Sequence, residues 1–374
     1  DKIIELLAWI KDVSEYPLMP SHLHSARREI SRSPAKKSKV QLDEFLEAEL
    51  IQEPQVGFII GVGASDVAGV LLPIATSLTY NLGAEKLMVT GAVSPSAPAA
   101  AELDMAVKMT RQSAQEALTM VENYLQELDS RISMSRLIGD FLAHYTIHHQ
   151  LLSASYNVGG PSAGYALALN TLSTLLYIPV YNDFGITGAP WTKGVKRGEV
   201  GGSVIIGSPK KKAQKVLFHL RRMYVPLQNY KDLEPDFLEN YWLQGKDLLG
   251  VTHFGDLVPE VMSFGEEYEK ILLELIDMRI DYKLRKLQGN KLNNDIKTEI
   301  LTKKLLLKDK AEKEILSRLN ALRKYLRTPE RDPHISLEEI FRQREKRTIK
   351  TLITPLMKYF PNRKSKLLTD EIKT

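Results

Sequence analysis

The chain of 374 residues contains no cysteine. That excludes disulfides, thiolate metal sites and cysteine nucleophiles, and it suits a reducing compartment. No apolar run reaches the ~18–20 residues that a membrane-spanning helix needs, and none follows a charged leader as in a signal peptide. Nor does Gly-x-x-x-x-Gly-Lys-Ser/Thr occur anywhere, so there is no phosphate loop of the kind ATPases use. What remains is an ordinary globular composition, 43% hydrophobic and 26% charged, with length for about two domains. The net charge is +5 and unevenly spread, which points to acidic partners for its basic part. The first residue is Asp1 rather than Met, as in a processed chain or a piece of a longer one.

Three regions differ in character. Residues 1–53 read as an arm or linker: a short amphipathic helix to Ile10, then a Ser-, Arg- and Lys-rich stretch from His22 to Lys39 interrupted by Pro34. Residues 54–265 alternate strands and helices without a regular βαβ rhythm, which argues an α+β fold or a mixed sheet. Here Val56–Gly63, Gly69–Ala75 and Lys86–Thr90 read as strands, and Leu103 to Leu125 as a long helix with apolar positions three and four apart. A strand is expected within Phe141–Leu152, further strands at Val180–Thr187 and Ser203–Ile206, and a helix over Lys210–Tyr224. Residues 266–374 read as long helices, Glu266–Leu287, Leu292–Leu326 and Ser336–Lys358, with basic residues outnumbering acidic ones by about three to two.

One stretch in the middle region carries chemistry. Gly160-Pro161-Ser162-Ala163-Gly164 opens the apolar run Tyr165–Tyr177. Proline suits a first helical turn, so Ser162 is expected at a helix N-terminus, where free N–H groups and the dipole favour an alkoxide or an oxyanion. A serine hydroxyl still needs a base, and a lysine serves if burial lowers its pKa. Lys210, Lys211 and Lys212 open the next helix, whose buried face is marked by Ala213, Val216, Leu217, Leu220 and Tyr224. At ~100° per residue Lys211 points away from that face, and Lys210 and Lys212 flank it.

Several short motifs, taken in order, resemble the proteolytic domain of the Lon protease family. They are Val56–Gly63, Leu71–Ile74, Lys86–Gly91, Gly160–Gly164, Ile186-Thr187-Gly188 with Lys193-Gly194, Asn229–Leu233 and Gly250–Met262. The resemblance spans residues 54–265. It implies a Lon-type α+β fold, a serine–lysine dyad and a hexameric ring, with Ser162 as nucleophile and Thr187 at a position whose hydroxyl can hold the lysine. The family's glycine-glycine-x-x-x-lysine spacing selects Lys212 if Gly207-Ser208 is the glycine pair. If Gly201-Gly202 is the pair instead, Ile206 occupies the lysine position and the site has no base. Gly159 stands where many members carry an acidic residue, and Leu151–Ser155 replace a Pro-Glu-Gly-Ala segment. The interval from Ser162 to Lys212 is also longer than in the family.

No cofactor or metal is expected. The adjacent His148 and His149 cannot chelate one ion from a regular strand, because neighbouring side chains point to opposite faces, so they read as structural. Two functions fit. One is a peptidase hydrolysing unfolded polypeptides without its own ATPase, as a homo-oligomer or beside a separate ATPase subunit. The other is an idle Lon-like scaffold docked through residues 336–374 onto RNA or a mitochondrial ribonucleoprotein. The RNA reading rests on Arg342–Lys350 and Lys358–Lys366, where cations are interleaved with Tyr359 and Phe360. The mitochondrial matrix, or otherwise the cytoplasm, is the expected location. Ile300, Leu301, Leu305, Leu306, Ile315 and Leu319 offer a face for a partner helix.

Overall fold

A computed structural model describes residues 53–64, 69–80, 85–91, 100–131, 133–151, 161–191, 202–204, 206–289, 294–328 and 337–341. The arm 1–52 and the basic stretch 342–374 lie outside these residues, and so does the loop holding Gly201. The described residues from Pro54 onward form one compact unit.

Its centre is a seven-stranded mixed sheet. Strands β1 (Phe58–Ala64) and β2 (Gly69–Tyr80) are antiparallel neighbours with Phe58 opposite Ala75 and Gly63 opposite Val70. On one side β2 pairs antiparallel with β4 (Tyr145–Leu151), which pairs parallel with the edge strand β3 (Leu87–Thr90). On the other side β1 continues into the parallel series β5 (Phe184–Ile186), β8 (Arg222–Pro226) and β9 (Asp247–Val251). A separate two-stranded antiparallel sheet pairs β6 (Ala189–Trp191) with β7 (Gly202–Val204). The architecture is α+β, as the irregular alternation of elements predicts.

Helix α1 (Ala100–Leu128) buries Ala114, Ala117, Met120, Val121, Tyr124 and Leu125, a stripe at helical spacing, while Met109 stays exposed. The strand expected within Phe141–Leu152 is β4, Tyr145–Leu151, and the residues before it, Met134–Leu142, form helix α2, whose Leu137, Ile138 and Phe141 are buried. One expectation fails. The helix expected to reach Tyr224 ends at His219, and Tyr224 belongs to β8, where β-branched and aromatic neighbours are buried on both faces.

Helix α3 (Gly164–Leu176), entered through a 3-10 turn at Pro161–Ala163, is buried on every side. Helix α4 (Pro209–His219) lies across the sheet from it. Gly61 of β1 backs onto Ala166 of α3, whereas the next residue, Val62, meets Val216 of α4 over Gly185. The remaining helices are α5 (Leu227–Lys231), α6 (Pro235–Leu243) and α7 (Phe254–Val261).

The C-terminal extension is packed onto this body. Helix α8 (Glu266–Leu287) buries Tyr268, Leu272, Leu275, Ile276 and Ile280, and α9 (Asn294–Arg327) buries Leu307, Ala311, Ile315, Leu319 and Leu322. Thus Ile315 and Leu319 cover the protein's own core, while Leu301 and Leu305, each 57% exposed, and Leu306 face outward. Tyr268 joins the two layers: its hydroxyl donates to the Pro259 carbonyl at 2.5 Å and lies 3.3 Å from the Leu307 carbonyl.

Arg318 of α9 caps the far end of α3. Its guanidinium donates to the carbonyls of Leu176 at 3.2 Å and Tyr177 at 2.6 Å, and its Nε pairs with Glu314 at 2.8 Å. A cation at a helix C-terminus satisfies orphan carbonyls and complements the dipole. Tyr177 there adopts a left-handed backbone, φ 52°, at a cost of about 1 kcal/mol for a residue other than glycine. Arg318→Met should therefore lower global stability by about 1–2 kcal/mol, with Arg318→Lys intermediate because it keeps the charge. Equal urea midpoints for wild type and Arg318→Met would show that the cap contributes nothing.

Candidate active site

The site lies where the chain leaves β5. Alternation along this strand points Gly185 and Thr187 to the α4 side and Ile186 to the α3 side. The backbone of Gly188 then receives the start of α3: its N–H donates to the Ser162 carbonyl at 2.8 Å, and its carbonyl accepts from the Tyr165 N–H at 3.0 Å. Ser162 is half-buried in the 3-10 turn, at the head of the helix as its proline predicts.

The three adjacent lysines separate sharply. Lys210 is exposed, ion-paired to Glu234 at 2.6 Å and lying over the Phe237 ring at 5.9 Å. Lys211 is partly exposed. Lys212 is only 3% exposed, and its Nζ donates to Thr187 Oγ1 at 3.1 Å. The same hydroxyl lies 3.4 Å from the Ser162 carbonyl, a long contact that brings the serine backbone and the lysine amine to one residue. Burial pushes the Lys212 amine down from 10.5 to about 8. The amine's hydrogen bond goes to Thr187 rather than to the serine hydroxyl.

The chain arrives at Lys212 through a tight turn. Ser208 has φ 54° and ψ 47°, a conformation for which glycine is the ordinary residue, and its carbonyl accepts from the Lys212 N–H at 3.2 Å. This is the position of the family's second glycine in the Gly207-Ser208 register. Ile206, the residue that the other register puts in the lysine's place, precedes the helix and is clamped by Asn229, whose side chain accepts from its N–H at 2.8 Å and donates to its carbonyl at 3.0 Å.

Two glycines allow the helices to come this close. A Cβ on Gly164 would stand 2.1 Å from Pro190 Cδ, and one on Gly69 would stand 2.3 Å from the Lys211 carbonyl oxygen. The serine helix thus lies against β6, and the lysine helix against the start of β2.

Buried polar side chains fix α3 from behind. The Asn170 amide nitrogen lies 3.1 Å from the Gly57 carbonyl, 3.0 Å from the Ile74 carbonyl and 2.7 Å from Thr76 Oγ1, and shares its two hydrogens among them. His149 lies between Thr76 Oγ1 at 2.7 Å and Thr171 Oγ1 at 3.3 Å, and burial, with a smaller push from His148, lowers it to about 3. It is therefore a neutral structural link at physiological pH. His148 instead meets Thr90 Oγ1 at 2.8 Å on the exposed edge. Sequence reasoning passed over Asn170 and the clamp by Asn229, although a lone asparagine inside an apolar helix is itself a signal of a required partner. Among the described residues, no group of His, Asp and Glu is placed to hold a metal ion, and no helix is long and apolar enough to cross a membrane.

The Lon protease (S16) C-terminal proteolytic domain profile matches residues 37–241, more than half of the chain. The chain belongs to the Lon protease family. It is 28% identical over 210 residues to the Lon protease of Nitratidesulfovibrio vulgaris, covering 56% of this chain and 22% of that protein. It is 26% identical over 258 residues to Lon protease 1 of Syntrophobacter fumaroxidans, covering 65% and 27%. Against Lon protease 1 of Bacillus subtilis the identity is 30% over 183 residues, covering 49% and 20%. The Lon-like chain thus spans about a fifth to a quarter of the length of the curated relatives it matches. The match ends at residue 241, so β9, α7 and the helical extension lie beyond it.

A buried lysine amine that burial dehydrates costs stability. Lys212→Met should stabilise the fold near neutral pH by up to about 3 kcal/mol. The folded amine loses its proton at about 8 and an unfolded one at 10.5, so between those values the folded chain binds fewer protons and its stability climbs with pH. The advantage of the methionine variant should shrink across that window, as read from urea midpoints at several pH values. A difference that stays constant from pH 7 to 10.5 would contradict a depressed lysine.

Proposed function

We propose that this Lon-family domain is a serine–lysine peptidase that cleaves unfolded polypeptides. The observation that carries the reading is the dehydrated Lys212 amine, held by Thr187 beside the backbone of Ser162. An ammonium in water is no base at neutral pH. An amine that titrates near 8 is neutral in a useful fraction of molecules.

In this mechanism Ser162 rotates its hydroxyl toward Lys212, which takes the proton as the oxygen attacks the peptide carbonyl. The tetrahedral oxyanion is held by N–H groups at the head of α3, which have no intrahelical partners and sit at the positive end of its dipole. Lys212 then returns the proton to the leaving amine, giving an ester on Ser162 that water hydrolyses with Lys212 again as base. Thr187 keeps the amine in place while it is neutral and while it is charged. Assembly into a ring, and delivery of unfolded chains by an ATPase, belong to the same proposal.

Hydrolysis of an unstructured fluorogenic peptide tests it. The rate should rise about tenfold per pH unit below pH 8 and level off above, following the neutral amine. Ser162→Ala and Lys212→Met should each abolish turnover, with the Ser162→Ala fold within about 1 kcal/mol of wild type. Undiminished hydrolysis in purified Ser162→Ala would remove Ser162 as the nucleophile.

A further inference from the structure

Helix α8 lies beyond the family match, yet it drives two cations into the domain. Arg279 NH1 donates to Glu260 Oε1 of α7 at 2.7 Å, and its NH2 lies 2.8 Å from Asp247 Oδ2 of β9. Lys283 Nζ donates to Asp247 Oδ1 at 2.8 Å and to the Leu248 carbonyl at 3.2 Å. A third cation, Arg222 of β8, is fully buried: it pairs with Asp183 through both nitrogens of its fork and donates to the Glu260 carbonyl at 2.5 Å. Three cations thus face three carboxylates. Burial works to raise the Asp247 carboxyl, but Arg279 and Lys283 outweigh it and hold the group below its ordinary range.

One hydroxyl links this cluster to the site. Tyr224 OH accepts from Arg222 NH1 at 3.3 Å and donates to Glu260 Oε2 at 3.2 Å. The carbonyl of the same tyrosine accepts from the Thr187 N–H at 3.1 Å, and Thr187 Oγ1 receives Lys212 Nζ at 3.1 Å. An unbroken series therefore runs from Arg279 through Glu260, Tyr224 and Thr187 to Lys212, and every member is buried. In such surroundings a missing partner leaves an uncompensated charge, and its neighbours must move to resolve it.

We propose that Arg279 is a positioning residue for the serine–lysine pair, by which the C-terminal extension fixes Thr187 and hence Lys212. This rests on the peptidase reading for its catalytic consequence, but not for its structural content. Without Arg279, Glu260 and Asp247 keep only part of their countercharge, Glu260 turns from Tyr224, and the joint between β5 and β8 loosens where Thr187 hangs from it. Water then reaches Lys212, and the amine moves back toward an ordinary lysine.

The test uses the full chain with Arg279→Met, Arg279→Lys and Tyr224→Phe. The Lys212 amine is titrated by NMR of 13Cε-labelled lysine, its signal assigned by its loss in Lys212→Met, and peptide hydrolysis is measured in parallel. In folded Arg279→Met the Lys212 midpoint should rise by about one pH unit or more, and kcat should fall at least about tenfold with KM within about twofold. Arg279→Lys should restore most of both. An unchanged Lys212 midpoint with unchanged kcat in folded Arg279→Met would overturn the proposal. If Arg279→Met does not fold, Tyr224→Phe decides: it keeps the ring and removes only the linking hydroxyl, so an upward shift supports the series and an unmoved midpoint ends it. A wild-type chain that hydrolyses nothing would defeat the peptidase reading alone, because the Lys212 titration still reports on the positioning.

Discussion

The candidate site depends on keeping one ammonium group, that of Lys212, out of water. Lys212 enters the interior at the first turn of α4, where a cation already opposes the helix dipole. Among the described residues its one side-chain hydrogen bond, to Thr187, does not replace a hydration shell, and burial lowers its pKa to about 8. The arrangement persists because its surroundings are rigid: Ser208 accepts a left-handed backbone, Asn229 clamps the approach at Ile206, and Gly69 lets β2 touch the helix. A residue held at a local cost by a well-packed shell is what a reactive centre looks like energetically.

Much of this was legible in the sequence, for reasons that can be stated residue by residue. Pro161 and the small residues around Ser162 announced a helix entry, and strand alternation with the apolar pattern placed β1, β2 and β3. The extension helix α8 runs from Glu266 to Leu287, as read from the sequence. The choice of Lys212 over Lys210 came from the spacing of the resembling family, since helical phase alone left the two equal. What separates them in three dimensions is long-range: Glu234 draws Lys210 outward, and Thr187 lies beneath Lys212.

The rest was illegible because it depends on partners far apart in the chain. Nothing local distinguishes Tyr224 at the end of a helix from Tyr224 in a strand between β5 and β9, yet the second placement joins it to Arg222, Glu260 and Arg279. The helices after residue 265 read as an appendage, because their charged faces are conspicuous and their buried cations are not. Their apolar stripes and their arginines belong to the same core as the sheet.

The Arg318 cap also has a bearing on how the protein is made. The carbonyls that close the serine helix wait for a side chain encoded 141 residues after Tyr177. During synthesis the sheet and α3 emerge first, and the helix end stays unfinished until α9 has left the ribosome. Contacts of such separation are formed late and slow the overall reaction, because loop closure must precede them. The closed C-terminal end of the serine helix is therefore acquired only once α9 has been made.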